Sequence, residues 1–65
     1  MPSSVIQRFT YDRDTRILTL LFVSGRYYNY LDVPGWIYEG LKQAQSKGRY
    51  FNRYIRNQYE FEPVH

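Results

Sequence analysis

The stretch ILTLLFVSGRYYNYLD, residues 17–32, decides the fold of this 65-residue chain. Its β-branched, aromatic and leucine side chains favour two strands, from about Ile17 to Val23 and from about Arg26 to Asp32. The short loop between them fits a three-residue hairpin in which Gly25 takes the left-handed backbone conformation that other residues rarely adopt. The sequence therefore predicts an antiparallel hairpin in the first half of the chain.

The residues before this hairpin predict a third strand, from about Val5 to Asp12, that pairs with it antiparallel. Residues 13–16 suit a four-residue loop based on a type I turn, which Asp12 and Asp14 would support. The expected cross-strand pairs are Phe9 with Leu20, Tyr11 with Leu18, Leu20 with Tyr28, and Leu18 with Tyr30. Because side chains alternate between the faces of a sheet, the core face contains Phe9, Tyr11, Leu18, Leu20, Phe22, Tyr28 and Tyr30. The other face contains Thr19, Leu21, Tyr27 and Asn29.

The segment that follows the sheet predicts a first helix, from Pro34 to about Gln45. Pro34 suits a first helical turn because its missing N–H would be unpaired there anyway. Apolar residues at helical spacing form a stripe that would lie on the sheet. These residues are Val33, Ile37, Leu41 and Ala44. After this helix, Ser46 is expected to cap a helix, and Gly48 to act as a helix stop or a tight corner between helices.

A second helix is expected from about Arg49 to Asn57, with Phe51 and Ile55 directed inward. The tail from Glu60 to His65 is expected to be extended or frayed. The chain is too short for two independent cores. Residues 1–65 therefore predict a single α+β domain, a three-stranded antiparallel meander followed by two helices packed on one face.

Composition excludes several classes of protein. The chain has no cysteine, so eight Tyr, four Phe and one Trp must supply most of the buried surface without a disulfide or a thiolate metal site. Residues 1–4 lack the basic and apolar regions of a signal peptide. No apolar run approaches the roughly 20 residues that a membrane span requires. We therefore expect a cytoplasmic chain with no membrane partner.

Positive charge is concentrated near the C-terminal end of the chain. From Lys42 to Tyr59 there are five Lys and Arg residues and no Asp or Glu, although the formal net charge of the whole chain is only +3. Arg49, Arg53 and Arg56 have the spacing i, i+4 and i+7, which places them on one face of a helix. A basic segment with interleaved tyrosines and no carboxylates is typical of polyanion binding. The candidate nucleic-acid-binding residues are Lys47, Arg49, Tyr50, Arg53, Tyr54 and Arg56.

The sequence offers little for catalysis. Its one histidine is the terminal His65, and it contains no cysteine, phosphate-binding glycine loop or metal-ligand spacing. Asp12 and Asp14 have no third carboxylate or histidine near them in sequence. A small ribonuclease acting through Tyr and Arg stays open as an alternative, because general acid chemistry does not strictly require histidine. We predict a non-enzymatic protein with no catalytic residue, metal or cofactor.

Two motifs of the chain are found together in one known family. Tyr28-Asn29-Tyr30 is followed by Val33-Pro34, and the run Ser46-x-Gly48-x-Tyr50-Phe51-Asn52 comes later. With these motifs, the chain from Ser3 to Tyr59 resembles the KTSC domain, a small module named after the C-terminus of some lysyl-tRNA synthetases. The module also occurs as a stand-alone bacterial or phage protein, and its synthetase association suggests RNA binding. The family-motif residues are Tyr28, Tyr30, Ser46, Gly48, Phe51 and Asn52.

Two hypotheses of function follow. The first is a small non-enzymatic module that binds nucleic acid, RNA or single strands, through its basic-aromatic helix. Tyr28 and Tyr30 would then be core residues, as the register indicates, or stacking partners for bases, and Asn52 would bond a backbone group or a ligand. The alternative is a protein-interaction module, a bacterial or phage accessory protein that uses Trp36 and an exposed sheet edge. The sequence leaves the oligomeric state open.

Overall fold

Four antiparallel strands form one sheet in the computed structural model, which describes residues 6–64. In chain order the elements are β1 Ile6–Asp12, β2 Ile17–Phe22, β3 Tyr27–Tyr30, α1 Gly35–Gln43, α2 Lys47–Tyr50, a π-helical segment Phe51–Ile55, and β4 Phe61–Val64. The strands lie in the order β1-β2-β3-β4, and the helices are inserted between β3 and β4. The predicted α+β class is confirmed.

The predicted register of the first three strands is also confirmed. The observed Cα pairs include Phe9 with Leu20, Tyr11 with Leu18, Leu20 with Tyr28, and Leu18 with Tyr30. Gly25 has a φ of +92° in the loop between β2 and β3, in the region that favours glycine. In the first loop, Asp12 Oδ1 accepts hydrogen bonds from the backbone N–H groups of Asp14 at 2.9 Å and Thr15 at 3.4 Å. Asp12 therefore supports the turn that the sequence indicated.

The prediction of a three-stranded sheet is wrong by one strand. Part of the tail that was expected to be extended or frayed forms β4, which pairs antiparallel with β3. Phe61 lies opposite Tyr30, and Pro63 lies opposite Tyr28, so Phe61 and Pro63 extend the core face. Proline is tolerated here because β4 is an edge strand, where one side of the backbone needs no partner. A four-residue strand that contains proline leaves only a weak pattern in the sequence.

Side chains from the sheet and from both helical regions enclose one core. The buried residues are Ile6, Leu18, Leu20, Tyr30, Val33, Ile37, Leu41, Phe51 and Ile55. Ile37 and Leu41 are the buried residues of α1, as the apolar stripe predicted. The Phe51 ring makes edge-to-face contacts with Phe22 and Tyr30, with ring centroids 5.4 and 5.6 Å apart. Phe51 thus joins the second helical region to the sheet.

The boundaries of the helices differ from the predicted ones. α1 ends at Gln43, and Gly48, which was expected to be a stop or corner, lies buried inside α2. The π-helical segment follows α2 without a break and closes with a hydrogen bond of 2.8 Å from Arg56 N–H to Phe51 O, five residues back. We refer to α2 and the π-helical segment together as the second helix, residues 47–55.

Truncation of Phe51 should unfold most of the protein. Replacing a buried Phe by Ala costs about 3–5 kcal/mol, which is close to the whole stability expected of so small a domain. We expect Phe51→Ala to lose most of its far-UV circular dichroism signal under conditions where the parent chain is folded. Asn52→Ala, at the neighbouring exposed position, is the control and should melt within a few degrees of the parent. A Phe51→Ala variant that melted like this control would show that Phe51 does not anchor the second helix.

Candidate nucleic-acid interface

A side-chain cap sets the start of the second helix. Ser46 Oγ accepts a hydrogen bond from the backbone N–H of Arg49 at 3.3 Å, as expected of a capping serine. Because this cap lets a new helix begin at Lys47, Gly48 falls inside a helix and does not end one. The cap also places Arg49 in the first turn, where its side chain is exposed.

Lys47 has a structural contact that the sequence did not reveal. Its Nζ donates to the backbone carbonyl oxygens of Ala44 at 3.0 Å and of Lys42 at 3.4 Å, at the C-terminal end of α1. The same ammonium group lies 6.0 Å from the centroid of the Phe9 ring. A cation stabilises the unpaired carbonyl groups at the end of a helix. Lys47 therefore connects the second helix to α1, and part of its hydrogen-bonding capacity is already used.

Arg49 and Arg53 present positive charge on the exposed side of the second helix. Together with Asn52 they border an open depression in the surface. Neither arginine forms an ion pair with any residue from 6 to 64. Their guanidinium groups are therefore free to contact an anion.

Arg56 does not share the helical face of Arg49 and Arg53 in the way that its spacing predicts. It follows the π-helical segment with an extended backbone, at φ −61° and ψ 130°. Its Nη1 donates to Asn52 Oδ1 at 3.4 Å, and its side chain also borders a cleft on the sheet. Because a π turn contains one more residue than an α turn, Arg56 is displaced toward the sheet. Asn52, which accepts this hydrogen bond, links Arg56 to the depression.

The two tyrosines of the second helix differ in their accessibility. Their rings contact each other with centroids 4.7 Å apart and an angle of 41° between the planes. Tyr50 is half-buried against Gly40, and burial raises the pKa of its hydroxyl. Tyr54 is 42% exposed, and the Arg53 guanidinium lies 5.8 Å from the centroid of its ring. Tyr54 is thus the more accessible stacking surface.

The ion pairs of residues 6–64 do not involve the arginines of the second helix or Arg56, and they lie earlier in the sequence. They are Arg13 with Glu39 at 2.8 Å, Lys42 with Glu39 at 3.5 Å, and Arg16 with Asp32 at 3.5 Å. The hydrogen bond from Arg13, aided by nearby Lys42, lowers the pKa of the Glu39 carboxyl. The described cations that lack a carboxylate partner within this range are Arg8, Arg26, Lys47, Arg49, Arg53 and Arg56. Four of these six lie in or directly after the second helix.

A cleft beside Arg56 was not anticipated from the sequence. Aromatic rings of β2, β3 and β4 line it, and Arg26 and Arg56 lie at its border. The aromatic residues are Phe22, Tyr28, Tyr30 and Phe61. Tyr30 is buried, as its core assignment required, whereas Tyr28 is only half-buried. Reasoning from the sequence missed Arg26 and Phe61, because the only available signal for Phe61 was one apolar residue in a short tail.

Four further features bear on the other hypotheses of function: an exposed tryptophan, the sheet edges, possible metal ligands and possible membrane-spanning helices. Trp36, in the first turn of α1, is 66% exposed. The two edges of the sheet belong to β1 and β4. Within residues 6–64, no three His, Cys, Asp or Glu side chains approach closely enough to hold a metal ion. No helix in that part of the chain is long and apolar enough to cross a membrane.

Comparison with known proteins gives consistent matches over almost the whole chain. The family model of the KTSC domain matches residues 2–59. A lysine–tRNA ligase of Nostoc punctiforme is 44% identical over 61 residues, which are 94% of this chain and 11% of the ligase. An uncharacterized protein of Stutzerimonas stutzeri is 36% identical over 59 residues, 91% of this chain and 83% of that protein. The chain therefore spans about a tenth of the length of the ligase and most of the length of the smaller relative.

A solved structure has the same fold. The crystal structure of a KTSC domain protein from Yersinia pestis superposes with a TM-score of 0.93 and 32% sequence identity. The match covers 100% of this chain and 92% of the Yersinia chain. It thus includes β4, which lies beyond the residues that the family model matches.

Gly40 should resist substitution because Tyr50 covers it. A Cβ atom on Gly40 would lie 2.7 Å from Cζ and 2.9 Å from Cε2 of Tyr50, closer than such atoms approach. We expect Gly40→Ala to lower Tm although alanine has the higher helix propensity. The double variant Gly40→Ala/Tyr50→Leu should lose less stability than the two single variants together. Gln43→Ala, at an exposed position of α1, is the control, and a Gly40→Ala variant more stable than the parent would contradict the contact.

Alkaline titration should report the burial of Tyr30 and Tyr50. Burial is the main cause that raises the pKa of each hydroxyl above its ordinary value of 10.0; Tyr28 adds to this effect on Tyr30, and Arg56 opposes it. The unfolded chain releases these protons near pH 10.0 while the folded chain still holds them. Their contribution to stability is therefore fully present below that pH and decreases as the pH rises above it.

The measurement is Tm as a function of pH, together with ultraviolet absorbance of tyrosinate. We expect Tyr30→Phe to make the alkaline decrease in Tm shallower than in the parent chain. Tyr27→Phe, which changes an exposed tyrosine on the other face of the sheet, is the control. Equal alkaline slopes for the parent and Tyr30→Phe would contradict the role of Tyr30.

Proposed function

This chain belongs to the KTSC domain family, and we propose that it is a non-enzymatic, cytoplasmic module that binds RNA through the exposed side of its second helix. The observation that carries the proposal is the group of arginines without carboxylate partners among residues 6–64, namely Arg49, Arg53 and Arg56. Phosphate groups are the partners that such a group fits, because each guanidinium can donate two parallel hydrogen bonds to one phosphate.

The arrangement suits a phosphate backbone better than a single anion. Arg49 and Arg53 border one depression, and Arg56 reaches the same region through its hydrogen bond with Asn52. Several cations spread over a surface can each neutralise a different phosphate of one strand. Asn52 Oδ1 orients Arg56 and leaves the amide nitrogen of Asn52 as a further donor.

An accessible aromatic ring favours unpaired bases over a regular duplex. Tyr54 is 42% exposed, between the Arg53 guanidinium and the Tyr50 ring, and the exposed part of its ring is accessible to a base. Bases that are not already stacked within a duplex can stack on such rings, as happens in single strands, loops and ends of RNA. The proposal therefore names single-stranded or irregular RNA as the ligand.

The names of the ligase relatives support RNA as the partner. A lysine–tRNA ligase acts on tRNA, and the region that matches this chain makes up 11% of the Nostoc punctiforme ligase. The region of the ligase that matches this chain is therefore part of a protein whose substrate is an RNA. By this argument, the module adds contact surface for RNA.

Exposed Trp36 favours a second candidate function, which is protein interaction through α1 or through a sheet edge of β1 or β4. Exposed tryptophans are frequent anchors of protein interfaces. This candidate predicts that Trp36→Ala, and not an arginine variant, abolishes the biological association. The RNA titration described next separates it from the first proposal.

Fluorescence anisotropy with a labelled single-stranded RNA tests the proposal. We expect binding at about 50 mM salt that weakens steeply as salt increases, because each neutralised phosphate releases counterions. Arg49→Ala and Arg53→Ala should each reduce the slope of log affinity against log salt by about 0.7. Tyr54→Ala should cost about 1–3 kcal/mol of binding free energy and leave the slope nearly unchanged.

The matched control is Arg8→Ala, which removes an exposed arginine that also lacks an ion pair within residues 6–64. Arg8 pairs with Leu21 of β2, and Leu21 lies on the face of the sheet opposite the core. Its replacement should change the salt slope little. The proposal fails if the parent chain does not bind RNA at low salt, or if Arg8→Ala weakens binding as much as Arg49→Ala does.

A further inference from the structure

The cleft next to Arg56 forms where the helices leave the core face of the sheet uncovered. The second helix ends at Ile55, and the chain continues to β4 without covering the rings near the hairpin loop. The resulting cavity has a volume of about 470 Å³, and the side chains of Val23 and Ser24 also line it. We call this feature the aromatic cleft, with walls formed by Phe22, Tyr28, Tyr30 and Phe61 and with Arg26 and Arg56 at its border.

The rings of the aromatic cleft form a connected cluster that contains one stacked pair. Phe61 stacks on Tyr30, with centroids 5.3 Å apart and 29° between the planes. Tyr28 forms T-shaped contacts with Phe61 and with Phe22, both at a centroid distance of 5.5 Å. Phe61 nevertheless remains 55% exposed. A planar aromatic ligand in the cleft would continue the stack on Phe61 and cover apolar surface that the protein leaves in water.

Several polar groups in the aromatic cleft lack partners within residues 6–64. Neither the hydroxyl of Tyr28 nor that of Tyr30 makes a side-chain hydrogen bond in this range, and both hydroxyls reach solvent, because no buried side-chain oxygen in this range lacks a partner. The Tyr30 hydroxyl, like any tyrosine hydroxyl, is protonated at neutral pH and able to donate. The Arg26 guanidinium likewise has no ion pair or hydrogen bond in this range. Apolar walls with a few convergent polar groups are typical of small-ligand sites.

We propose that the aromatic cleft holds one unpaired nucleotide of a bound RNA, with its base stacked on Phe61 and its phosphate between Arg26 and Arg56. This inference rests on the RNA-binding function proposed above and identifies the part of the RNA that the domain recognises. The apolar rings match the faces of a base, the tyrosine hydroxyls match the donors and acceptors on its edge, and the two arginines match the phosphate charge.

The position of Arg56 explains how the two surfaces act together. Arg56 borders the aromatic cleft and also donates to Asn52 at 3.4 Å, beside Arg49 and Arg53. A strand whose phosphates follow the second helix would therefore reach the aromatic cleft at Arg56. The second helix contacts phosphates whatever the sequence of the RNA. The aromatic cleft, in contrast, requires a base that is neither paired nor stacked within the RNA.

Two labelled RNAs test the inference: a blunt-ended hairpin whose loop is replaced by a non-nucleotide linker, so that it has no unpaired base, and the same hairpin with a single-stranded 3′ overhang. We expect the parent chain to bind the overhang hairpin at least about fivefold more tightly, since one stacked base contributes at least that factor. Phe61→Ala should remove this advantage. Val64→Ala, which changes another exposed residue of β4 on the opposite face, is the matched control and should keep it.

A second variant and a direct probe keep the test decisive if Phe61→Ala folds poorly. Arg26→Gln should reduce the advantage of the overhang, whereas Arg8→Gln should not. Adenosine 5′-monophosphate should shift the amide signals of Gly25, Arg26 and Phe61 in a nuclear magnetic resonance titration. A peptide with a C-terminal phenylalanine should shift them less than the nucleotide does.

The inference is overturned if the overhang gives no advantage, or if the peptide occupies the aromatic cleft and the nucleotide does not. In that case, salt-dependent binding of both hairpins that still requires Arg49 would leave the proposed RNA-binding function standing. If neither hairpin binds at low salt, the proposed function itself fails.

Discussion

Burial of the central residues of the sheet is the constraint on which the rest of this structure depends. Leu18 and Leu20 of β2 are fully buried, and the helices contribute Ile37, Leu41 and Ile55 to the same core. With 65 residues and no cysteine, the chain has no covalent support for its fold. The helices must therefore lie on one particular face of the sheet, and their exposed sides have a fixed orientation relative to the strands.

This limited core leaves exposed the two surfaces on which the proposals rest. Two short helices cover the centre of the sheet but not its end near the hairpin loop, so the rings of Phe22, Tyr28 and Phe61 stay only partly covered. The described carboxylates that form ion pairs are Glu39 and Asp32, which precede the second helix. Charge is thus separated along the chain, and the arginines of the second helix lie next to the uncovered aromatic surface.

The π-helical segment connects the core to both surfaces. It keeps Phe51 and Ile55 buried on one side. It also ends with Arg56 turned toward the sheet, while Arg49 and Arg53 stay on the exposed side. Such segments are uncommon and are often found at functional sites. Compared with an α turn, the π turn in this domain places Arg56 on a different surface from Arg49 and Arg53, while Phe51 and Ile55 stay in the core.

The sequence by itself determined the local features: the hairpin at Gly25, the register of the first three strands, the apolar stripe of α1 and the cap at Ser46. Each of these depends on neighbouring residues, on side-chain alternation or on the conformation that one residue type favours. Only the tertiary structure decided that the tail pairs as β4, because a four-residue edge strand gains its stability from β3 and from the ring of Tyr30. The tertiary structure also decided the aromatic cleft, because its rings come from residues that are distant in sequence. It decided the position of Arg56 as well, because a π turn replaces the α turn on which the predicted common face of the arginines depended.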